Sequence, residues 1–352
     1  PRSRGLGDVY KRQMYTRDIY NVAQINMNEA EPTGVYNEQP DRIYWASKKY
    51  EYNDYTNGKN VVVKLSNGED KGYQYSFNAI LTKKYDFGFT GSIGYTYTMA
   101  KDLTANPGSA PNSAWQNNVA VNSLNDPGVS YSLFSTPHRI IANASYEINY
   151  AKCLKTTFSL FYSGYHTGRY SYTYYNDMNG DGNYSDLIYV PNSQDEMTFV
   201  DITDKSGAIT YSAVDQAKDF WDFVNNDSYL KDRKGKYVER NGSLTPWINR
   251  FDFKIAQDFY ATLGGRKYGI QVSLDMLNVG NMINSKWGAY QSCGLKSYDN
   301  VQLLKTASKV GEPLTYQINA NSREAFKERS SWQYTNTIGS AWSMQLGVKV
   351  TF

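Results

Sequence analysis

Apolar and polar residues alternate along unusually long stretches of this chain. From residue 85 to residue 99 the odd positions carry aromatic or aliphatic side chains or glycine, and the even positions are small or polar. A period of two over this length indicates a β-strand far longer than the common strand of about five or six residues. A strand that crosses a bilayer at a tilt needs about nine to eleven residues in the hydrocarbon layer. The pattern therefore favours a membrane-spanning strand.

The same alternation recurs along the rest of the chain, so we predict eight strands. Besides residues 85–99, the strands are expected at residues 73–82, 140–149, 157–163, 251–259, 268–276 and 343–352, with a weaker candidate near residues 15–22.

The connections between these strands are alternately short and long. Short turns fall at residues 82–85, 149–155 and 261–267, and long segments at residues 23–70, 101–135, 167–247 and 281–340. Outer-membrane barrels combine short periplasmic turns with long extracellular loops, whereas soluble sandwiches rarely segregate their loops. We predict an all-β fold, the antiparallel transmembrane β-barrel portion of an outer-membrane protein.

Composition agrees with strands that have one apolar face. The chain is 40% hydrophobic and 15% aromatic, with a mean hydropathy of −0.64, and no run of apolar residues is long enough for a transmembrane helix. Alternating strands conceal their apolar side from such averages. Tyr and Trp near strand ends suit the membrane interface. We expect the protein to lie in a bacterial outer membrane, in contact with its lipid.

Charge and cysteine content exclude several other classes. There are 37 basic and 34 acidic residues without a long basic run, so a nucleic-acid partner is not expected. His138 and His166 are the only histidines and lack a suitable third partner, so we predict that the protein is not an enzyme. Cys153 falls in a short turn and Cys293 in a long loop, so we predict no disulfide between them.

The first residues differ in texture from the rest. Residues 1–13 are basic and lack the Tyr, Asn and Asp that become frequent from Met14 onward. They resemble the translation of a sequencing-library adapter joined to a truncated gene. We predict that residues 1–13 are an artefact or a disordered tail, that residues 14–352 belong to the barrel, and that the natural chain starts upstream of Met14.

The last strand carries a recognisable assembly pattern. Gln345, Gly347, Val350 and Phe352 match the C-terminal β-signal that the outer-membrane barrel assembly machinery reads by strand pairing. We therefore expect that machinery to be a partner of the chain.

Several stretches together resemble one receptor family. They are YTYTMAKD at residues 95–102, TPHRI at 136–140, PWINRFD at 246–252, LNVGN at 277–281 and the terminal strand. They are similar to the last third of a TonB-dependent outer-membrane receptor, in the Oar-like branch whose members carry a carboxypeptidase-regulatory-like domain.

The resemblance implies a barrel of twenty-two strands around an N-terminal plug, of which this chain would supply about the last eight. It implies energised uptake of a bulky solute, with the TonB complex acting through the plug that this chain lacks. Two alternatives stay open: a self-contained eight-strand adhesin or structural barrel, and a secreted calcium-binding β-sandwich.

One loop resembles a calcium site. Asp177, Asn179, Asp181, Asn183 and Asp186 place oxygen donors at positions 1, 3, 5, 7 and 10, with glycine at position 6. Position 12, where a bidentate Glu is usual, is isoleucine, so an acid at position 10, 19 or 20 would have to complete the shell. The expectation is a structural calcium ion rather than a required cofactor, and the alternative is a solvated turn.

Two aromatic segments, at residues 170–175 and 220–223, lie in the long loop that contains this motif. They could stack on a sugar or peptide, but we expect them to pack loop against loop, since a long ordered loop needs a core of its own.

Overall fold

The fold is all-β and is built mainly from antiparallel sheets. The computed structural model describes residues 7–52, 60–68, 72–184, 186–264, 266–293, 296–297, 300–319, 326, 332–335 and 337–352. Within these residues, no helix is both long enough and apolar enough to cross a membrane.

The largest sheet contains eight long strands, each beside its neighbour in the chain. The strands are β1 (Asp8–Arg17), β2 (Tyr73–Lys84), β3 (Phe89–Asp102), β4 (His138–Tyr150), β5 (Leu154–His166), β6 (Trp247–Leu263), β7 (Arg266–Leu277) and β8 (Ser343–Thr351). A short strand, Ser130–Tyr131, pairs with the end of β3. The seven strands predicted most clearly from the alternation are confirmed.

The first strand differs from the expectation. β1 begins at Asp8, so part of the segment expected to be a tail pairs with β2, and the candidate near residues 15–22 ends at Arg17. The register places Lys11 opposite Ala79 and Gln13 opposite Phe77, on the otherwise apolar face. The alternation therefore fails in residues 8–13, and their origin as adapter sequence stays a prediction.

One face of the sheet is apolar and uncovered. The register brings Leu160 opposite Ala144 and Phe253, and the same face continues to Leu346, which is 71% exposed. Apolar side chains that stay exposed on this face include Tyr75, Leu81, Ile93, Tyr95, Tyr146, Ile148, Phe158, Phe251, Phe259, Ile270, Val348 and Val350. A contiguous apolar surface of this kind marks contact with a partner or a membrane.

The opposite face is polar and is linked by contacts between strands. Lys254 on β6 lies 2.7 Å from Asp275 on β7, and Lys155 on β5 lies 3.5 Å from Asp258 on β6. The Gln271 amide also donates to Asp258, at 2.8 Å. The charged side chains of β5, β6 and β7 that make these contacts therefore point to the polar face.

The sheet is open, because β1 and β8 form its two edges. The eight strands form part of an antiparallel sheet without closing into a ring of their own. Among the described residues, β1 and β8 do not pair with each other, so these eight strands do not form a closed barrel.

Short and long connections lie at opposite ends of the sheet. The turn end has the connections at residues 85–88, at residues 151–153 and at Gly264. The loop end carries the described parts of residues 18–72, 103–137, 167–246 and 278–342, which we call the loop unit. The predicted asymmetry is confirmed.

The loop unit has its own small sheets and helices. Arg169–Tyr174 pairs with Ser243–Leu244 and, in parallel, with Asn300–Thr306, which also pairs with Lys296–Ser297 and Tyr316–Ile318. The other strand pairs are Asn21–Asn26 with Val63–Gly68, Gly34–Val35 with Ile43–Tyr44, Tyr189–Val190 with Lys236–Tyr237, Ile202–Thr203 with Ile209–Tyr211, and Gln291–Ser292 with Gln333–Tyr334. The helices whose ends are both described are α1 (Pro111–Gln116), α2 (Ala213–Asn226), α3 (Val279–Ile283) and two 3₁₀ turns, Gln194–Glu196 and Leu230–Asp232.

Both aromatic segments pack inside the loop unit, as expected. Tyr172 and Tyr174 are buried in its core together with Phe220 and Phe223. The second segment is part of helix α2, not of a loop, and the Ser212 side chain caps that helix by accepting from the Asp215 N–H, at 3.1 Å.

Cys153 and Cys293 form no disulfide with each other. Cys153 is exposed at the turn end, whereas Cys293 is buried in the loop unit.

Candidate functional site

The predicted calcium loop lies inside the loop unit, directly after the strand Arg169–Tyr174. Leu187, just beyond the loop, forms a bridge with Thr173, and Asp186 forms one with Ala120. Asn179 is fully buried, and Asp181 and Asn183 are each only 4% exposed. The interpretation of this segment as a solvated turn at a loop tip therefore disagrees with its burial.

Backbone N–H groups within the loop donate to its carboxylates. Asp177 accepts from Gly180, at 2.7 Å, and from Gly182, at 2.9 Å. Asp181 accepts from the Asn183 N–H, at 2.7 Å. Gly180 and Gly182 have φ of +83° and +95°, a conformation that glycine adopts without strain. The two glycines allow the chain to fold tightly around its acidic side chains.

Asp186 connects the loop to Arg42, which is far from it in the sequence. Its Oδ2 accepts from the Met178 N–H, at 3.0 Å, and its Oδ1 lies 3.4 Å from Nη1 of Arg42. Arg42 is fully buried, donates to the carbonyls of Val121 and Leu187, and stacks 4.8 Å from the ring centre of Tyr237. A buried arginine with these contacts joins three segments of the loop unit.

Burial raises the pKa of every carboxyl group in the loop. It raises the pKa of Asp186 to about 7, against the opposing effect of Arg42. It raises the pKa of Asp181 well above its ordinary value, and the nearby carboxylates Asp186 and Asp177 add to the effect. The pKa of Asp177 is also raised by burial, although the Gly182 and Gly180 N–H groups oppose the shift.

Two further charges lie at the edge of the loop. Glu29 acts on Asp181 and has its own pKa raised by burial, while its carboxylate accepts from the Ser123 hydroxyl and the Asn125 amide. Lys49 is exposed, and its charge lowers the pKa of Asp177. The region thus contains more buried negative than positive charge.

Asp195 and Glu196, two acids expected to complete the calcium shell, lie outside the loop of residues 177–186. Glu196 accepts from the backbone and side chain of Asn192, at 2.8 and 2.9 Å, in a turn of its own, and Asp195 lies in the 3₁₀ turn with it. Ile188 is completely buried in the hydrophobic core. Among the described residues no group of three or more His, Cys, Asp and Glu side chains converges as a metal site. Any cation here would therefore need amide or backbone oxygens as well as carboxylates.

The residues of the predicted β-signal lie on the edge strand β8. Gln345 and Gly347 pair with Asp275 and Ser273 on the polar face, and Val350 pairs with Ile270 on the apolar face. Phe352 follows the strand and is 94% exposed. Their reading as an assembly signal stays a prediction.

The two histidines have structural contacts at the loop end. His138 Nδ1 lies 2.8 Å from the Tyr95 hydroxyl, and His166 Nδ1 lies 2.5 Å from the carbonyl of Thr245.

Two clefts offer room for small ligands near the loop end. A cleft of about 650 Å³ in the loop unit has lining residues of both charges, among them Asp126, Arg233 and Arg240. A second cleft of about 740 Å³ meets the apolar face of the sheet and is lined by Tyr162, Trp247, Phe251, Lys286, Trp287 and Tyr334. No local pattern in the sequence predicts either cleft, because their walls come from segments far apart in the chain.

Comparison with known protein families, with characterised proteins and with solved structures finds no significant match to this chain.

Proposed function

We propose that this chain forms the C-terminal part of the barrel of a TonB-dependent outer-membrane receptor similar to the Oar-like branch. The observation that carries the proposal is the eight-strand sheet with one uncovered apolar face, one polar face and all its long connections at one end. Outer-membrane barrels combine these three properties.

The apolar face supports contact with lipid. Soluble proteins rarely leave a contiguous apolar surface of this extent uncovered. Trp247, Trp287 and Trp342 lie at the loop end of the sheet, where indole rings suit the headgroup region. This distribution fits an outer leaflet located at the loop end.

The polar face supports a wet or plugged interior. Ion pairs such as Lys254 with Asp275 would be costly against lipid, but they are ordinary on the inner wall of a barrel. In the proposed receptor this wall would surround the plug.

The open edges support a barrel larger than eight strands. Unpaired backbone groups at β1 and β8 cannot face hydrocarbon without a large cost, so further strands must cover them in a membrane. The family resemblance would supply about fourteen of these.

In this proposal the barrel wall holds the plug, and the loop unit captures a bulky solute outside the cell. The TonB complex would supply the work by acting on the plug, and the assembly machinery would read β8. The chain itself makes and breaks no covalent bond. The buried core of the loop unit supports this role, because a receptor surface needs rigid loops to select its ligand.

Sequencing the genomic DNA upstream of Met14 tests the proposal. We expect the reading frame to continue into a plug and about fourteen additional strands, and codons 1–13 to be replaced by different sequence. A signal peptide joined directly to Met14 would instead support a self-contained outer-membrane protein and overturn the receptor proposal.

A further inference from the structure

The acidic loop encloses charge that the surrounding protein does not balance. Its three carboxylates are held by the backbone of the loop: Asp177 accepts from Gly180 and Gly182, Asp181 from Asn183, and Asp186 from Met178. Within the described residues, the ion pair found for these carboxylates joins Asp186 to Arg42, at 3.4 Å. Burying ionised carboxylates without sufficient compensation is costly, so the ionised loop calls for further positive charge.

A separate observation concerns two amide side chains in the same loop. The Nδ2 atoms of Asn179 and Asn183 are buried and have no hydrogen-bond partner. The Asn179 side chain points back to the loop backbone, because its Oδ1 accepts from the Asp181 N–H, at 3.0 Å. Buried side-chain amides normally have hydrogen-bond partners. Rotation of a side-chain amide exchanges the positions of its oxygen and its nitrogen. Rotation of the Asn183 amide would replace an unpartnered donor with an oxygen that a cation could bind.

From these two observations we propose that residues 177–186 bind one calcium ion. Its ligands would be the carboxylates of Asp177 and Asp181 and the amide oxygens of Asn179 and Asn183, with Asp186 held beside them by the Met178 N–H and Arg42. Mixed carboxylate and amide oxygens on a short, irregular loop suit calcium, which accepts six to eight oxygens in variable geometry. Magnesium requires a near-octahedral arrangement and releases its water reluctantly.

Such an ion would connect separate parts of the loop unit. The Asn179 carbonyl accepts from the Trp45 N–H, at 2.7 Å, Asp186 bridges to Ala120, and Arg42 contacts Asp186. Calcium bound by this loop would therefore stabilise three segments together. The inference concerns the loop unit alone and holds whether or not the sheet spans a membrane.

Calorimetric titration of the purified chain with calcium chloride tests the proposal. We expect one site with a dissociation constant of about 10⁻⁵ to 10⁻³ M and at least roughly tenfold weaker binding of magnesium. Asp181→Asn should weaken calcium binding about tenfold or more. Asp204→Asn is the matched control, because Asp204 caps an exposed turn through Ser206 and should leave binding unchanged.

Terbium luminescence provides a readout specific to this loop. Tyr50 lies close enough to Asp181 and Asp177 for their charges to raise its pKa, although burial is the larger cause. Excitation of tyrosine should therefore sensitise a terbium ion bound here, and calcium should displace it. Tyr50→Leu should reduce the emission while retaining calcium affinity.

Three results would each overturn the proposal: no calcium binding by the folded wild-type chain, equal affinity for magnesium, or equal binding by the two Asp→Asn variants. If Asp181→Asn does not fold, Asn183→Ala replaces it, with the same expected loss of affinity.

Discussion

At the scale of single residues, strand register decides which side chains face each environment. Leu160 lies near the middle of β5 on the apolar face, whereas Ser145 on β4 faces the polar side between Thr90 and Ser159. Adjacent positions on a strand alternate between faces, so a shift of one residue would exchange them all. The proposal therefore makes opposite predictions for neighbouring sites.

Leu160→Arg should destabilise the chain in lipid vesicles by about 2–4 kcal/mol, since the charge would lie near the bilayer midplane. Ser145→Arg, the matched control, should change the unfolding free energy by less than about 1 kcal/mol because its side chain faces a polar interior. Urea titration of both variants in vesicles measures the difference. Equal effects would contradict the assignment of the two faces.

The acidic residues of the loop can be predicted from the sequence, but the residues that contact them cannot. Asp177 to Asp186 form a local motif with fixed spacing, so they can be recognised without a structure. Arg42 lies 144 positions before Asp186, and Glu29 lies still earlier. Their contacts depend on how the long segments fold on one another, and no local pattern encodes that arrangement.

At the scale of elements, the alternation of apolar and polar residues predicts a strand only where the strand has one apolar and one polar face. It places seven strands of the main sheet to within about four residues of their observed ends, but β1 begins at Asp8 instead of near residue 15. Arg169–Tyr174 is buried along its whole length, so it shows no contrast between faces and the alternation does not predict it as a strand. Helix α2 was also missed, although its Ser212 cap and the buried Gln216, Phe220 and Phe223 follow a helical spacing.

The β2–β3 turn should be sensitive to a single methyl group. Gly88 has φ of +96°, and a Cβ there would lie 2.3 Å from the Glu147 carbonyl oxygen. Its own carbonyl accepts from the Glu147 N–H, at 3.0 Å, which joins the turn to β4. Gly88→Ala should therefore cost about 3 kcal/mol or more of unfolding free energy.

Gly264, in the β6–β7 turn, is the matched control for Gly88. Its φ is +56° and a Cβ there would meet open space, so Gly264→Ala should cost only about 1–2 kcal/mol. Unfolding of both variants under the same conditions would test the comparison, and an equal or larger loss at Gly264 would show that the contact with β4 is unimportant.

At the scale of the whole molecule, two asymmetries are at right angles to each other. Across the sheet, one face is apolar and the other polar, and along the strands one end has short turns and the other has the loop unit. A soluble two-layer sandwich would cover the apolar face with a second sheet. The proposed membrane-spanning wall would explain both asymmetries together, because lipid would cover the apolar face and the two ends would lie in different compartments.

Labelling with a membrane-impermeant maleimide tests this account most directly. Cys153 is free and exposed at the turn end, and Ser206 is exposed in the loop unit. In intact cells that export the chain, Ser206→Cys in a Cys153→Ser background should be labelled, whereas native Cys153 should be labelled only after the outer membrane is permeabilised. Equal labelling of Cys153 before and after permeabilisation would contradict the proposal that the sheet spans the membrane with its turn end inside.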